Sequence, residues 1–124
     1  MSPTQKTTDE IVSSVMDEWT AGIDAHDPGR VAAVFAEDAV FQGLRPYGVG
    51  RGAVTDYYDS QPRSMTVAYR ILESRKPTDD VVLGYLSATF SFVDSSALEL
   101  NVGVTLVRTV DRWEVVQYQA SRAD

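Results

Sequence analysis

The strongest constraint on this chain is a pattern in its second half, where long runs alternate apolar and polar residues. These runs lie at about 65–73, 81–93, 98–110 and 113–120. Their apolar members are mostly β-branched or aromatic, and alternation with a period of two is typical of strands with one buried face. Short polar connections separate them, at 76–80, 94–96 and 111–112. The pattern predicts a meander of antiparallel strands.

The first half of the chain predicts helices. Apolar residues recur at helical spacing over 11–23, and Thr7-x-x-Glu10 just upstream matches a capping box. Asp27 followed by Pro28 predicts the start of a second, short helix with Phe35 on its apolar face.

A short strand beginning at 39–41 and a glycine-rich loop follow, and then a third short helix at about 53–60. Helices first and strands afterwards predict an α+β fold, with the long first helix packed on one face of a curved sheet.

Size and composition predict one domain. The chain has 124 residues and no linker-like stretch, so we expect a flexible N-terminus at 1–8 and a single domain at 9–124. The absence of cysteine excludes disulfides and thiolate chemistry. The polar N-terminus resembles neither a signal peptide nor an anchor, and no apolar run is long enough to span a bilayer. We therefore expect a cytoplasmic protein that does not bind membranes.

Charge argues against nucleic acid as a partner. The formal net charge is −7, and the eleven basic residues are scattered, so a phosphate backbone would be repelled.

Several segments, taken in order, resemble the nuclear transport factor 2-like superfamily. They are Trp19-x6-His26-Asp27, then Val34-Phe35-Ala36-Glu37-Asp38-Ala39-Val40-Phe41, then Gly50-Arg51-Gly52-Ala53-Val54. The closing runs Val104-Thr105-Leu106-Val107-Arg108 and Trp113-Glu114-Val115-Val116 are similar to SnoaL-like members, including small proteins of polyketide and enediyne gene clusters. The resemblance covers nearly the whole chain.

This resemblance implies a cystatin-like cone, in which three N-terminal helices close a strongly curved, mainly antiparallel sheet around an apolar cavity. It also implies a homodimer formed through the outer face of the sheet. It predicts the fold more firmly than the function, because members of the superfamily include isomerases, cyclases, dehydratases, transport adaptors and an association domain.

The catalytic residues of ketosteroid isomerases do not carry over to this sequence. By alignment with that template, the position of the carboxylate base falls on Gly43, and the two acid donors fall on Trp19 and Val104. The carboxylate–arginine–carboxylate set of epoxide hydrolases has no counterpart on the predicted cavity strands. Ketosteroid-type isomerisation is therefore disfavoured.

Metal and histidine chemistry are also disfavoured. The single histidine, His26, lies in a predicted turn beside Asp27, and Asp38 matches a position that caps the turn before the first strand. We interpret both as structural, and we expect no metal and no cofactor.

The resemblance and the strand alternation together predict which residues line the cavity. If Val104 faces inward, so do Leu100, Val102 and Leu106, and the matched positions on the last strand are Gln117, Gln119 and Ser121. On the strand at 81–93, the set from Leu86 to Phe92 should be internal and the Tyr85 set should face solvent or a partner. The predicted ligand-binding residues are Trp19, Phe41, Tyr47, Tyr58, Phe90, Val102, Val104, Gln117 and Gln119. Each of them has an alternative role in the hydrophobic core.

Three functions remain open. The first is a binding or accessory protein that holds a small apolar, polyketide-like molecule. The second is an enzyme of the cyclase, isomerase or dehydratase kind that positions its substrate through Tyr47, Trp19 or Gln119. The third is a non-catalytic dimeric assembly module with a filled interior. The loop at 43–50, which carries Arg45 and Tyr47, would lie at the cavity mouth.

Overall fold

The computed structural model describes residues 7–123. Three helices, α1 (Thr8–Asp24), α2 (Pro28–Ala32) and α3 (Arg51–Asp59), accompany six strands. The strands are β1 (Phe35–Gln42), β2 (Gly48–Val49), β3 (Thr66–Thr78), β4 (Val81–Ser91), β5 (Leu98–Arg108) and β6 (Trp113–Arg122). The α+β class and the three-helix layout predicted from the sequence are confirmed. Residues 1–6 of the predicted flexible N-terminus lie outside the described residues, so that prediction stays open.

The sheet is an antiparallel meander of β3 to β6, and β1 joins it through one parallel pairing with β6. Its strand order is β2-β1-β6-β5-β4-β3, and every neighbouring pair is antiparallel except β1 and β6. Register shifts interrupt three of the pairings, β1–β6, β3–β4 and β5–β6. Such bulges increase local twist and bend a sheet, which fits a sheet that wraps around α1.

Helix α1 packs its apolar face against the inner face of this sheet. The predicted capping box is confirmed, because the Thr7 hydroxyl accepts from the Glu10 N–H and the Glu10 carboxylate accepts from the Thr7 N–H. At the other end, Asp24 accepts from the backbone N–H of Val67 at 3.0 Å and so joins α1 to the start of β3. The buried face of α1 consists of Ile11, Val12, Val15, Met16, Trp19, Gly22 and Ile23.

The boundary between α2 and β1 differs from the prediction. Asp27 caps α2 and Pro28 is its first residue, as expected, but the helix ends at Ala32. Phe35 lies at the start of β1, four residues before the predicted strand. The chain there pairs with β6, and the Val115 N–H donates to the Val34 carbonyl at 2.9 Å. Pairing with a strand distant in sequence overrides the local helical pattern.

Near the end of β6, the side chains that point inward are not the ones predicted. Leu106 pairs with Val115 whereas Thr105 pairs with Gln117, so one extra residue lies between these two pairs. Val115 is buried, and after the bulge the buried positions are Tyr118 and Ala120. The inward orientation predicted for Gln117 and Gln119 is therefore wrong, because the bulge shifts the alternation by one residue.

The predicted alternation on the other two central strands is confirmed. Leu86, Ala88 and Phe90 are buried on β4, and Tyr85 is exposed on the opposite face. On β5 the buried residues are Leu100, Val102, Val104 and Leu106. None of the helices in residues 7–123 is long and apolar enough to cross a membrane.

Candidate functional site

A cavity of about 150 Å³ remains in the interior of the curved sheet, at the end where α3 and the loop after β1 meet β4, β5 and β6. Its wall combines apolar and aromatic side chains with a few polar groups. The lining residues are Gly43, Leu44, Arg45, Tyr57, Tyr58, Gln61, Met65, Phe90, Phe92, Leu98, Leu100, Tyr118 and Ala120. An apolar recess with a small number of fixed polar groups is typical of small-molecule sites, and this one is smaller than most.

Tyr58 and Tyr118, which we call the phenol pair, form the polar part of the buried wall. The indole N–H of Trp19 donates to the Tyr58 hydroxyl at 3.1 Å, and Tyr58 and Tyr118 lie close enough for each hydroxyl to affect the pKa of the other. Burial raises the pKa of Tyr58 and raises that of Tyr118 well above its usual value. The phenol pair therefore stays protonated at neutral pH and can donate a hydrogen bond, but it cannot act as a base.

Aromatic packing fixes these phenols in place. The Tyr118 ring stacks on Phe41 with centroids 4.8 Å apart, and it also contacts Trp19 at 6.0 Å. Phe41 in turn makes an edge contact with Tyr58 at 5.7 Å. Rings held on several sides lose little further freedom when a ligand binds, which favours a preformed site.

Gly43 shows why the base of the isomerase template has no place here. A Cβ atom on Gly43 would lie 2.4 Å from Cζ and Oη of Tyr57, far inside van der Waals contact. The ring of Tyr57 thus occupies the space where a side chain at position 43 would begin. Among the described residues that line the cavity there is no Asp, Glu or His, so its wall offers no carboxylate or imidazole.

The mouth of the cavity carries its single charged lining residue, Arg45. Its guanidinium carbon lies 5.9 Å from the ring centroid of Tyr57, and its Nη1 donates to the Ser60 hydroxyl at 3.3 Å. Ser60 itself donates to the Tyr57 carbonyl at 2.6 Å. The arginine is therefore held across the end of α3.

The structure brings two of the nine predicted residues, Tyr58 and Phe90, to the cavity wall. Trp19 lies one layer behind it and contacts it through Tyr58. Three further residues belong to the surrounding core without lining the cavity: Phe41, Val102 and Val104. Whether any of these residues binds a ligand stays a prediction.

The other three predicted residues lie outside the cavity. Tyr47 is 66% exposed in the loop before β2, so its predicted place in the wall is wrong. Gln117 and Gln119 line a more open depression of about 330 Å³ on the outer face of the sheet. Of the two recesses, the inner cavity is the better candidate for a small-molecule site, because its walls are aromatic and its access is narrower.

Tyr57 and Tyr118 are the main residues that the prediction missed. The sequence held a signal for Tyr118, because in 116–120 the apolar residues alternate with glutamines and so indicate which side is buried. For Tyr57 the sequence left the choice open, because Tyr57 and Tyr58 lie three and four residues after Val54 and either one fits the inward face of α3. No group of three or more His, Asp or Glu side chains within residues 7–123 is placed to hold a metal ion.

Comparison with known proteins identifies the family. Residues 12–124 match the SnoaL-like domain. The chain belongs to the SnoaL-like domain family. The SnoaL-like match covers nearly the whole sequence, so the superfamily suggested by the sequence motifs is confirmed. No significant match to a protein of curated function was found.

Solved structures share this SnoaL-like fold at low sequence identity. A ketosteroid isomerase-like protein from Erwinia carotovora atroseptica is 18% identical, with a TM-score of 0.79 over 93% of this chain and 95% of that chain. A proposed scytalone dehydratase from Novosphingobium aromaticivorans is 15% identical, with a TM-score of 0.77 over 94% of this chain and 84% of that chain.

A third structure, a proposed calcium/calmodulin-dependent protein kinase II association domain from Xanthomonas campestris, is 17% identical. Its TM-score is 0.82, and the match covers 98% of this chain and 91% of that chain. The described functions of these three proteins differ, so the similarity supports the fold alone.

Proposed function

We propose that the protein binds a small, oxygen-bearing, single-ring compound in the inner cavity and serves as a binding or accessory protein in the metabolism of such compounds. The observation that carries this proposal is the cavity itself, with aromatic and aliphatic walls, protonated phenols and no base. A site that can orient a ligand but cannot move its protons is suited to binding.

The volume of the cavity selects the size of the ligand. A cavity of about 150 Å³ lined by apolar groups is large enough for one benzene ring. A fused polyketide of several rings would fit only if the mouth loop at 43–47 moved away. The polyketide-like ligand suggested by the family resemblance is therefore proposed in the form of a single ring or a ring at the end of a chain.

The phenol pair would select a ligand that carries a hydrogen-bond acceptor. The Tyr58 oxygen accepts from Trp19, so the hydroxyl proton of Tyr58 is not used in that bond. This proton can be offered to an oxygen atom of the ligand. A buried carbonyl or phenolic oxygen would thus find a donor, whereas a plain hydrocarbon would leave that donor unpaired.

The enzymatic alternative is weaker in this geometry. Tyr47 and Gln119, two of the three residues proposed to position a substrate, lie away from the cavity. The similarity to a proposed scytalone dehydratase keeps a dehydration reaction under consideration. Turnover of an oxygenated ring compound, lost on Tyr118→Phe, would favour it.

Native mass spectrometry of the purified protein, followed by denaturing extraction, tests the binding function. We expect one small aromatic or alicyclic compound per chain. Ala120→Leu places added side-chain volume in the cavity and should abolish retention. Ser121→Leu is the matched control, because Ser121 is exposed on the opposite face of β6. Equal retention by both variants would remove the inner cavity as the site.

The homodimer through the outer sheet face is proposed as a second function of the fold. Leu83 and Tyr85 are exposed there and line the depression of about 330 Å³. Neighbouring exposed apolar side chains on one sheet face are typical of a protein–protein interface. Light scattering should give a dimer mass, and Tyr85→Asp should give the monomer mass.

The predicted cytoplasmic location stays a prediction.

A further inference from the structure

Four arginines in residues 7–123 form no ion pair, and only one of them, Arg45, lines the inner cavity; the others are Arg63, Arg70 and Arg122. The arginines that form ion pairs with carboxylates are Arg30, Arg51, Arg75, Arg108 and Arg112. Within residues 7–123, Arg45 forms no ion pair, although the chain contains eighteen acidic residues and has a net charge of −7.

The guanidinium of Arg45 is nevertheless ordered by contacts. It donates one hydrogen bond to Ser60 at 3.3 Å and lies over the Tyr57 ring, and these two contacts orient it at the cavity mouth. No other hydrogen bond of its guanidinium is formed with the described residues. A guanidinium has five N–H donors in a fixed fork, so donors remain for an anion.

The remaining wall does not oppose an anion at this position. Arg45 is the only charged residue of the lining, and the other polar groups are the three phenols and the amide of Gln61. Phenols and amides are neutral, so they can donate hydrogen bonds to an oxyanion without repelling its negative charge. The apolar recess and the cation at its entrance therefore fit one molecule that has an apolar ring and an anionic end.

We infer that the ligand class of this site is a small carboxylic acid on a single ring, with the ring in the cavity and the carboxylate on Arg45. This inference rests on the proposed binding function and narrows its ligand. A planar carboxylate matches the fork of an arginine in a bidentate way, and such charge-assisted bonds are stronger than neutral ones. The phenol pair meets whatever oxygen the ring itself carries.

Benzoate and benzamide are the probes that test this inference. They have the same shape and the same number of heavy atoms, and only benzoate carries a charge. Titration of the ¹⁵N-labelled full chain, followed at the amides of Leu100 and Ala120, reports binding inside the cavity. We expect benzoate to bind about tenfold more tightly than benzamide, which corresponds to one good charge-assisted hydrogen-bonded contact.

Two arginine variants locate the effect. Arg45→Gln should reduce benzoate affinity about tenfold and leave benzamide affinity unchanged. Arg63→Gln makes the same change of charge at an exposed arginine that does not line the cavity, and it should change neither affinity. Arg45→Lys keeps the charge but loses the fork, and it should recover only part of the benzoate affinity.

The possible outcomes separate the two levels of the proposal. If benzoate and benzamide bind the wild type equally, or if Arg45→Gln weakens both to the same extent, the carboxylate inference is overturned while the binding function stands. If neither probe shifts the cavity amides, both the inference and the proposed single-ring site fall. The preference for benzoate should also shrink with added salt, because the arginine is exposed at the mouth.

Discussion

Substitution of Gly43 by alanine tests the packing on which the site depends. An added Cβ would lie 2.4 Å from Cζ and Oη of Tyr57 and 2.7 Å from its Cε2. Carbon atoms pack best at about 3.5–4.0 Å, so the ring would have to move by roughly 1 Å. Edge contacts at 5.0 Å with Phe41 and 5.1 Å with Tyr58 oppose that movement.

The sign of the change in the free energy of unfolding on Gly43→Ala decides between two expectations. Gly43 does not have a positive φ, so alanine is compatible with its backbone. Without a clash, the change would stabilise the protein by about 0.4–1 kcal/mol, because the unfolded chain loses freedom. Overpacking costs about 1–3 kcal/mol. We expect Gly43→Ala to lower the free energy of unfolding by about 1–2 kcal/mol and to lower Tm by a few degrees.

Urea unfolding followed by far-UV circular dichroism measures this change, and a double-mutant cycle assigns its cause. In a Tyr57→Ala background the clash is gone, so Gly43→Ala should become neutral or stabilising, with a coupling energy of about 1–3 kcal/mol. Gly52→Ala is the control, since nothing lies within 4 Å of an added Cβ there, and it should stabilise α3. A stabilising Gly43→Ala, or equal effects in both backgrounds, would refute the packing argument.

Three further predictions concern buried polar groups. The side chain of Glu114 is only 13% exposed, and it accepts from Arg51 at 3.0 Å and from Arg112. Glu114→Gln should therefore destabilise the protein by about 1–2 kcal/mol in urea unfolding. No change would mean that water solvates Glu114 and the two arginines. The Thr20 hydroxyl is buried with no hydrogen-bond partner among the described residues, so Thr20→Val should raise Tm, and a lower Tm would indicate an unseen partner. Because burial raises the pKa values of the phenol pair, the stability it contributes is complete below the unfolded pKa of about 10 and is lost as pH rises above it. Tyrosinate absorbance should therefore show two tyrosines that ionise only together with alkaline unfolding, and their ionisation in the folded protein would contradict the burial argument.

Much of the fold could be predicted because local patterns and the final structure agree. The capping box at Thr7 and Glu10, the Asp27 cap and the alternation on β4 and β5 each depend on residues close together in the sequence. Phe35 was misassigned because its strand exists only through pairing with β6. A helical face and a strand start look alike over so few residues.

The candidate site was predicted only in part, for a related reason. Tyr58 and Phe90 lie on elements whose facing follows from simple periodicity, and both line the cavity. Gln117 and Gln119 were placed inside by alignment with a template, and one bulge residue reversed their facing. Tyr47 was placed at the cavity because its loop lies at the mouth, but a loop position does not determine where a side chain points.

The sequence by itself determined the α+β class and the order of the elements, and its resemblance to the isomerases placed Gly43 where they have their base. These features depend on residue identity and on periodicity, which are local. Only the tertiary structure decided that the cavity is small, that Tyr57 occupies the space beside Gly43 and that Gln117 and Gln119 face outward after the bulge in β6. Cavity volume and facing depend on how distant strands register and on which side chains fill the same space, and those distances are set only when the whole sheet closes around α1.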